Sequence, residues 1–176
     1  LEAALQIQLK TLPPGSREVL DTRNELATTF YRAGDLATAE AQWLALAEDG
    51  SRYLGDSHSL TISALGNAAT TLRRRGEFAR ALPLAKRAME AEARMPDVSP
   101  HSALVTRLKY AQALLDVDRA AEALPLLEAI WTEAETGFAA TSFWPGDVAM
   151  RRAQALARLK RKAEAIPWIE RAIERY

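Results

Sequence analysis

An all-α fold, a solenoid of antiparallel helix pairs, is predicted by this 176-residue sequence from three observations. Apolar residues recur three and four apart, as in Leu26, Ala27 and Phe30 and then Ala39, Trp43, Leu46 and Ala47, and no segment alternates as a half-buried strand would. The sequence also repeats itself: "ALPL" at 81–84 returns as "ALPL" at 123–126 and as "AIPW" at 165–168, each step being 42 residues. Finally, each periodic stretch is split by a short turn, "RAGDL" in one copy and "RRGEF" in the next, too short for anything but an antiparallel helix pair.

Taken in chain order, Leu1–Lys10 reads as the tail of a second helix, because Ala4 and Leu5 align with Leu46 and Ala47. A helix of ten residues is marginal alone. It is expected either to be held by the next pair or to continue upstream, since the chain starts at Leu and not Met. "LPPGS" forms a loop, with Ser16 placed to cap the following helix, so that 1–16 comprises the tail of a truncated repeat and a loop. Four helix-pair repeats follow at 17–57, 58–99, 100–142 and 143–176, read together as a single solenoid over 1–176.

Two columns of the repeat hold only alanine: Ala27, Ala69, Ala111 and Ala153, and Ala39, Ala81, Ala123 and Ala165. Small side chains there let helix backbones approach closely, and larger ones would overpack. Phe30, Leu72, Leu114 and Leu156 form an apolar column, and Gly34 and Gly76 align with Asp118 and Lys160 at the turn. Pro83, Pro125 and Pro167 are expected near the first turn of each second helix, where a missing amide hydrogen costs little. In the last repeat Arg152, Lys160 and Lys162 replace Leu26, Gly34 and Leu36 of the first, which predicts a polar, terminal surface.

The string "LGDSHSLTISALGNAATTLRRRGEFARALPLAKRAM" (54–89) resembles the tetratricopeptide repeat, in the 42-residue variety of kinesin light chains, where an "LGxxHPxTxxSLNNLA" segment precedes a glycine-turned helix pair. A HEAT-like array has a similar period, but paired alanines with a turn glycine favour the tetratricopeptide reading. The resemblance is strongest over 17–94; later copies replace the turn glycine and follow the opening phrase only loosely. It implies a right-handed superhelix whose first helices line a concave groove that binds extended peptides. Asn24 and Asn67 correspond to the two asparagines of the family phrase, and an amide there can both donate to and accept from a peptide backbone.

Composition narrows the chemistry. Lys plus Arg and Asp plus Glu balance at 23 each, so overall charge favours neither nucleic acid nor an anionic membrane. No cysteine is present, which removes disulfides, thiolate nucleophiles and Cys-ligated zinc. No apolar run approaches the roughly 20 residues of a membrane span, and the first ten residues lack the features of a signal peptide, so a cytoplasmic protein is expected. The two histidines, His58 and His101, sit where a loop enters a first helix and read as capping or packing groups. Trp43 and Trp131 fall in apolar columns and read as core. "GFAATSFWPGD" (137–147), with Phe143 and Trp144, either packs beneath the last repeat or offers a contact patch. No phosphate loop, nucleophile elbow or metal spacing occurs, and neither an enzyme nor a cofactor is expected.

The face of the first helices opposite the alanines carries polar side chains: Asn24, Thr28 and Arg32 with Glu25 in the first repeat, Asn67, Thr70 and Arg74 in the second, Lys109, Gln112 and Asp116 in the third, and Arg151, Gln154 and Arg158 in the fourth. A solvated outer face would look the same. So would cations gathered near helix C-termini by the macrodipole, a reading that also suits Arg73. The family resemblance makes this face the candidate peptide site, locally basic, for an acidic or C-terminal segment of another protein, with no nucleic-acid or membrane partner and the oligomeric state open. An alternative is a regulatory or sensor segment of a larger signalling protein, a kinase, ATPase or transcription regulator, whose effector domain lies outside this chain.

Overall fold

The computed structural model describes residues 1–137 and 144–174, and every regular element among them is an α-helix. In chain order these are α1 (Glu2–Thr11), α2 (Arg17–Ala33), α3 (Leu36–Tyr53), α4 (Ser59–Arg74), α5 (Phe78–Glu92), α6 (Pro100–Asp116), α7 (Ala120–Gly137), α8 (Trp144–Arg158) and α9 (Lys162–Ile173). Phe143 and the Trp144 side chain lie outside the described residues, and with them the choice between a packed and an exposed aromatic loop.

The turn column explains how each first helix stops. Gly34 (φ 86°), Gly76 (φ 79°), Asp118 (φ 60°) and Lys160 (φ 62°) all adopt the left-handed conformation. The chain therefore keeps the turn geometry where it gives up the glycine suited to it. In three copies the next residue, Glu77, Arg119 or Arg161, donates its amide at 2.9 Å to the carbonyl of the apolar column residue, Leu72, Leu114 or Leu156. That bond ends the helix and starts its partner. Starts are capped by local chemistry: Asp35 accepts from the Thr38 amide at 3.1 Å, Ser99 from the Ser102 amide at 3.1 Å, and His58, through Nδ1, from the Leu60 amide at 3.2 Å. Ser16 occupies the N-cap position of α2 without a side-chain capping bond.

The prolines lie deeper than the sequence suggests. Pro83, Pro125 and Pro167 are each the sixth residue of α5, α7 and α9, inside the helix and past its first turn. Each therefore forgoes an internal bond, to the carbonyls of Ala79, Ala121 and Ala163. All three are exposed, so water can serve the freed carbonyls. Tolerance comes from facing solvent and not from sitting at the helix start.

Contacts gather the helices into two compact units, Leu1–Val98 and Ser99–Tyr176. In the first, successive helices from α1 to α5 pack on one another. The core runs from Leu20 and Ala27 of α2, through Ala39, Trp43, Leu46 and Ala47 of α3 and Ile62, Leu65 and Ala68 of α4, to Ala88 and Ala91 of α5. A smaller cluster of Leu5, Val19 and Leu26 ties α1 to α2. In the second unit α6, α7, α8 and α9 pack in the same order. The alanines of both invariant columns are at most 3% exposed, consistent with close backbone approach. Trp43 and Trp131 are buried.

Two buried carboxylates, Glu40 and Glu92, lie in the first unit. Glu40 is 5% exposed, in the column occupied elsewhere by Leu82, Leu124 and Ile166. Its carboxylate accepts from Arg75 and, at 2.5 Å, from Arg80, and Glu77 joins the same network through both arginines. A carboxylate is held among apolar neighbours only when such partners replace its water.

Candidate functional site

In the first unit, α2 and α4 supply Asn24, Thr28 and Arg32, and Asn67, Thr70 and Arg74. Asn24, Thr28, Asn67 and Thr70 are partly exposed, and Arg32 and Arg74 are exposed. The threonine hydroxyls have their protons committed: Thr28 donates to the Asn24 carbonyl at 2.9 Å and Thr70 to the Gly66 carbonyl at 2.8 Å. Their oxygens can then only accept, which suits the N–H groups of an extended peptide. Arg74 is held differently. Its guanidinium carbon lies 4.6 Å from the centre of the Tyr31 ring, so a cation of α4 rests on an aromatic of α2. Stacking leaves the guanidinium edge, which carries the N–H donors, open to a carboxylate.

Sequence reasoning misses Tyr31. It shares a repeat column with Arg73, one step before the column of Arg32 and Arg74. An aromatic one residue before a recurrent arginine is the signal that could have found it.

The corresponding residues of the second unit are more committed. Arg151 donates to Asp147 at 3.2 Å, four residues earlier on α8, and its side chain is only 23% exposed. Arg158 donates to the Leu115 carbonyl at the end of α6 and lies 3.8 Å from Asp118. Both cations thus serve the packing of α8 and α6 before any ligand. Lys109, Gln112 and Asp116 of α6 are partly exposed, and Gln154 of α8 is exposed.

A separate cavity of about 520 Å³ opens in the first unit, lined by Gly15, Leu20, Leu54 and Leu60 with Arg17, Asp21 and His58. None of the sequence-predicted peptide-site residues lines it. His58 spends Nδ1 on its helix cap there. Among the described residues no group of acidic and histidine side chains is arranged to hold a metal ion, and no helix is long and apolar enough to cross a membrane.

The two-helix unit, its buried alanine columns and its left-handed turn are therefore all present. Residues 18–91, from the second residue of α2 to the last but one of α5, match the family model of the tetratricopeptide repeat. Over that stretch the chain is similar to the tetratricopeptide repeat family. Solved structures extend the likeness in fold to the whole chain. A Podosopora anserina protein described as a kinesin light chain with nearly identical TPR-like repeats is 19% identical at a TM-score of 0.82, over 98% of this chain and 82% of that one. A point variant of that protein gives a TM-score of 0.85 at the same identity and the same coverage of both chains. BtubC (BKLC) from P. vanneervenii is 13% identical at a TM-score of 0.82, over 98% of this chain and 69% of its own. At such identities the likeness is one of fold. No curated protein matches the chain in sequence. Tetratricopeptide repeats are generally protein–protein interaction modules, scaffolds and not catalysts, and stacked repeats present extended binding surfaces.

Proposed function

We propose that the first-helix face of these tetratricopeptide repeats binds an extended, acidic peptide segment of another protein, centred on Asn67, Thr70 and Arg74 with Asn24, Thr28 and Arg32. The observation that carries this reading is the stack of Arg74 on Tyr31. It fixes a cation at the meeting of two first helices, with its donors outward. Thr28 and Thr70 add backbone acceptors, and Asn67 adds an amide with both functions. In the second unit Lys109, Gln112, Gln154, Arg151 and Arg158 form the analogous face, with Arg151 and Arg158 donating to Asp147 and to the Leu115 carbonyl. On this reading the protein works in the cytoplasm as a non-catalytic scaffold, with no nucleic-acid or membrane partner.

The test is titration of an acidic peptide library against the parent and the Asn67→Ala, Arg74→Ala and Arg32→Ala variants at low and high salt. A ligand of about micromolar affinity, roughly −8 kcal/mol, is expected. Asn67→Ala should weaken it at both salt concentrations. Arg74→Ala and Arg32→Ala should act mainly at low salt, because exposed charges are screened over about 8 Å at physiological ionic strength. Ligands whose binding ignores all three side chains would overturn the assignment.

A further inference from the structure

The cavity of about 520 Å³ in the first unit has an apolar lining and charged residues beside it. Leu20 is 1% exposed and Leu54 is 38% exposed, so with Leu60 the apolar lining runs from the core to the surface. The loop before α2 closes against the end of α3, because a β-carbon at Gly15 would overlap the Tyr53 ring. An apolar space of this size with a few polar groups is the usual make-up of a small-molecule site.

The polar groups favour one sign of charge. Arg17 reaches the Asp21 carboxylate only through Nε, at 3.4 Å, its side chain is 92% exposed, and its Nη donors have no partner among the described residues. His58 accepts the Leu60 amide at Nδ1, so in the neutral ring the proton stands on Nε2, a donor on a lining residue. Helices α2 and α4 both begin here, at Arg17 and Ser59, and helix N-termini carry partial positive charge. Ser16 gives α2 no side-chain cap, and its buried hydroxyl, between the lining residues Gly15 and Arg17, has no hydrogen-bond partner among the described residues. Asp21 is the acidic residue of the lining, and Arg17 already stands beside it. An entering carboxylate thus meets a guanidinium, an imidazole N–H and helix N-termini, whereas an ammonium meets a carboxylate whose charge is offset.

We propose that this cavity binds a small aliphatic carboxylate, its hydrocarbon chain among Leu20, Leu54 and Leu60 and its carboxylate served by Arg17 and His58. Binding comes mainly from the chain, each buried methylene contributing about fourfold in affinity. Charge then selects the carboxylate from other amphiphiles. None of the lining residues belongs to the first-helix face proposed for the peptide, so the two sites can be separated by mutation.

The test is calorimetric titration of the full chain at low salt with octanoate, hexanoate, octanol, octylammonium and N-acetylleucine, the last a mimic of a peptide C-terminus. Octanoate should bind saturably, hexanoate about tenfold more weakly for its shorter chain, and octylammonium at least about tenfold more weakly than octanoate. Arg17→Gln, at an exposed position, should weaken octanoate by up to about fivefold and leave octanol unchanged. Leu54→Asp, also at an exposed position, should abolish the binding of both while its thermal melt stays close to the parent's. No saturable octanoate binding up to about 10 mM, tighter binding of octylammonium or of N-acetylleucine, or octanoate binding indifferent to Leu54→Asp overturns the proposal.

Discussion

The guanidinium carbon of Arg74 lies 4.6 Å from the centre of the Tyr31 ring, joining consecutive first helices at the proposed peptide site. Tyr31 then positions a ligand-binding cation. Tyr31→Ala should lower peptide affinity without removing any proposed contact, and should cost about 0.5–1 kcal/mol of stability as the stack is lost. A double-mutant cycle with Arg74→Ala should show that the two losses are not additive. Full additivity in both binding and denaturation would separate Tyr31 from the site.

The turn column predicts opposite effects for the two kinds of residue it holds. Lys160 at φ 62° has a conformation unfavourable to side chains with a β-carbon, so Lys160→Gly should stabilise the second unit by up to about 1 kcal/mol. Gly76 at φ 79° has open space where a β-carbon would stand, with nothing within 4 Å, so Gly76→Ala should destabilise through backbone strain alone, by about 1 kcal/mol. Urea denaturation midpoints of the two variants should move in opposite directions.

The recurrent prolines should limit stability. Position 41, equivalent to Pro83 and Pro125, is already an exposed alanine inside α3. Pro125→Ala restores an internal amide bond and removes the ring's clash with a preceding carbonyl, so it should stabilise by as much as about 3 kcal/mol. An unchanged midpoint would mean that the helix has relaxed fully around the ring.

Acid should weaken the second unit through Glu133. Hydrogen bonds from Arg107, one of them at 2.7 Å, hold the Glu133 carboxyl below its ordinary value of 4.5. Because the folded value is the lower one, the unfolded chain takes up the proton first as pH falls. The stabilisation is therefore present above about pH 4.5 and is lost as pH drops through the depressed folded value. Glu133 is half exposed, so the effect is small and screened by salt. Arg107→Gln should flatten this part of the pH–stability profile, measured by thermal melts from about pH 6 downward.

The sequence by itself determined the helices, their pairing and their turns. The alanine columns, the apolar column and the turn column are set by backbone geometry within one 42-residue period, and each copy meets the same local requirement. Even the departures at Asp118 and Lys160 obey the left-handed turn that the aligned glycines announce. Tertiary structure alone decided how the long charged side chains are used. Arg158 reads as a groove cation in sequence, yet it reaches the Leu115 carbonyl 43 residues away. Glu40 stands in an apolar column because Arg75 and Arg80, 35 and 40 residues on, fold back to meet it. Likewise Arg152 turns inward to Glu128 and Trp168, and the surface of α9 falls to three isoleucines. A flexible side chain has many rotamers, and its choice among them depends on distances between helices that a repeat period does not encode.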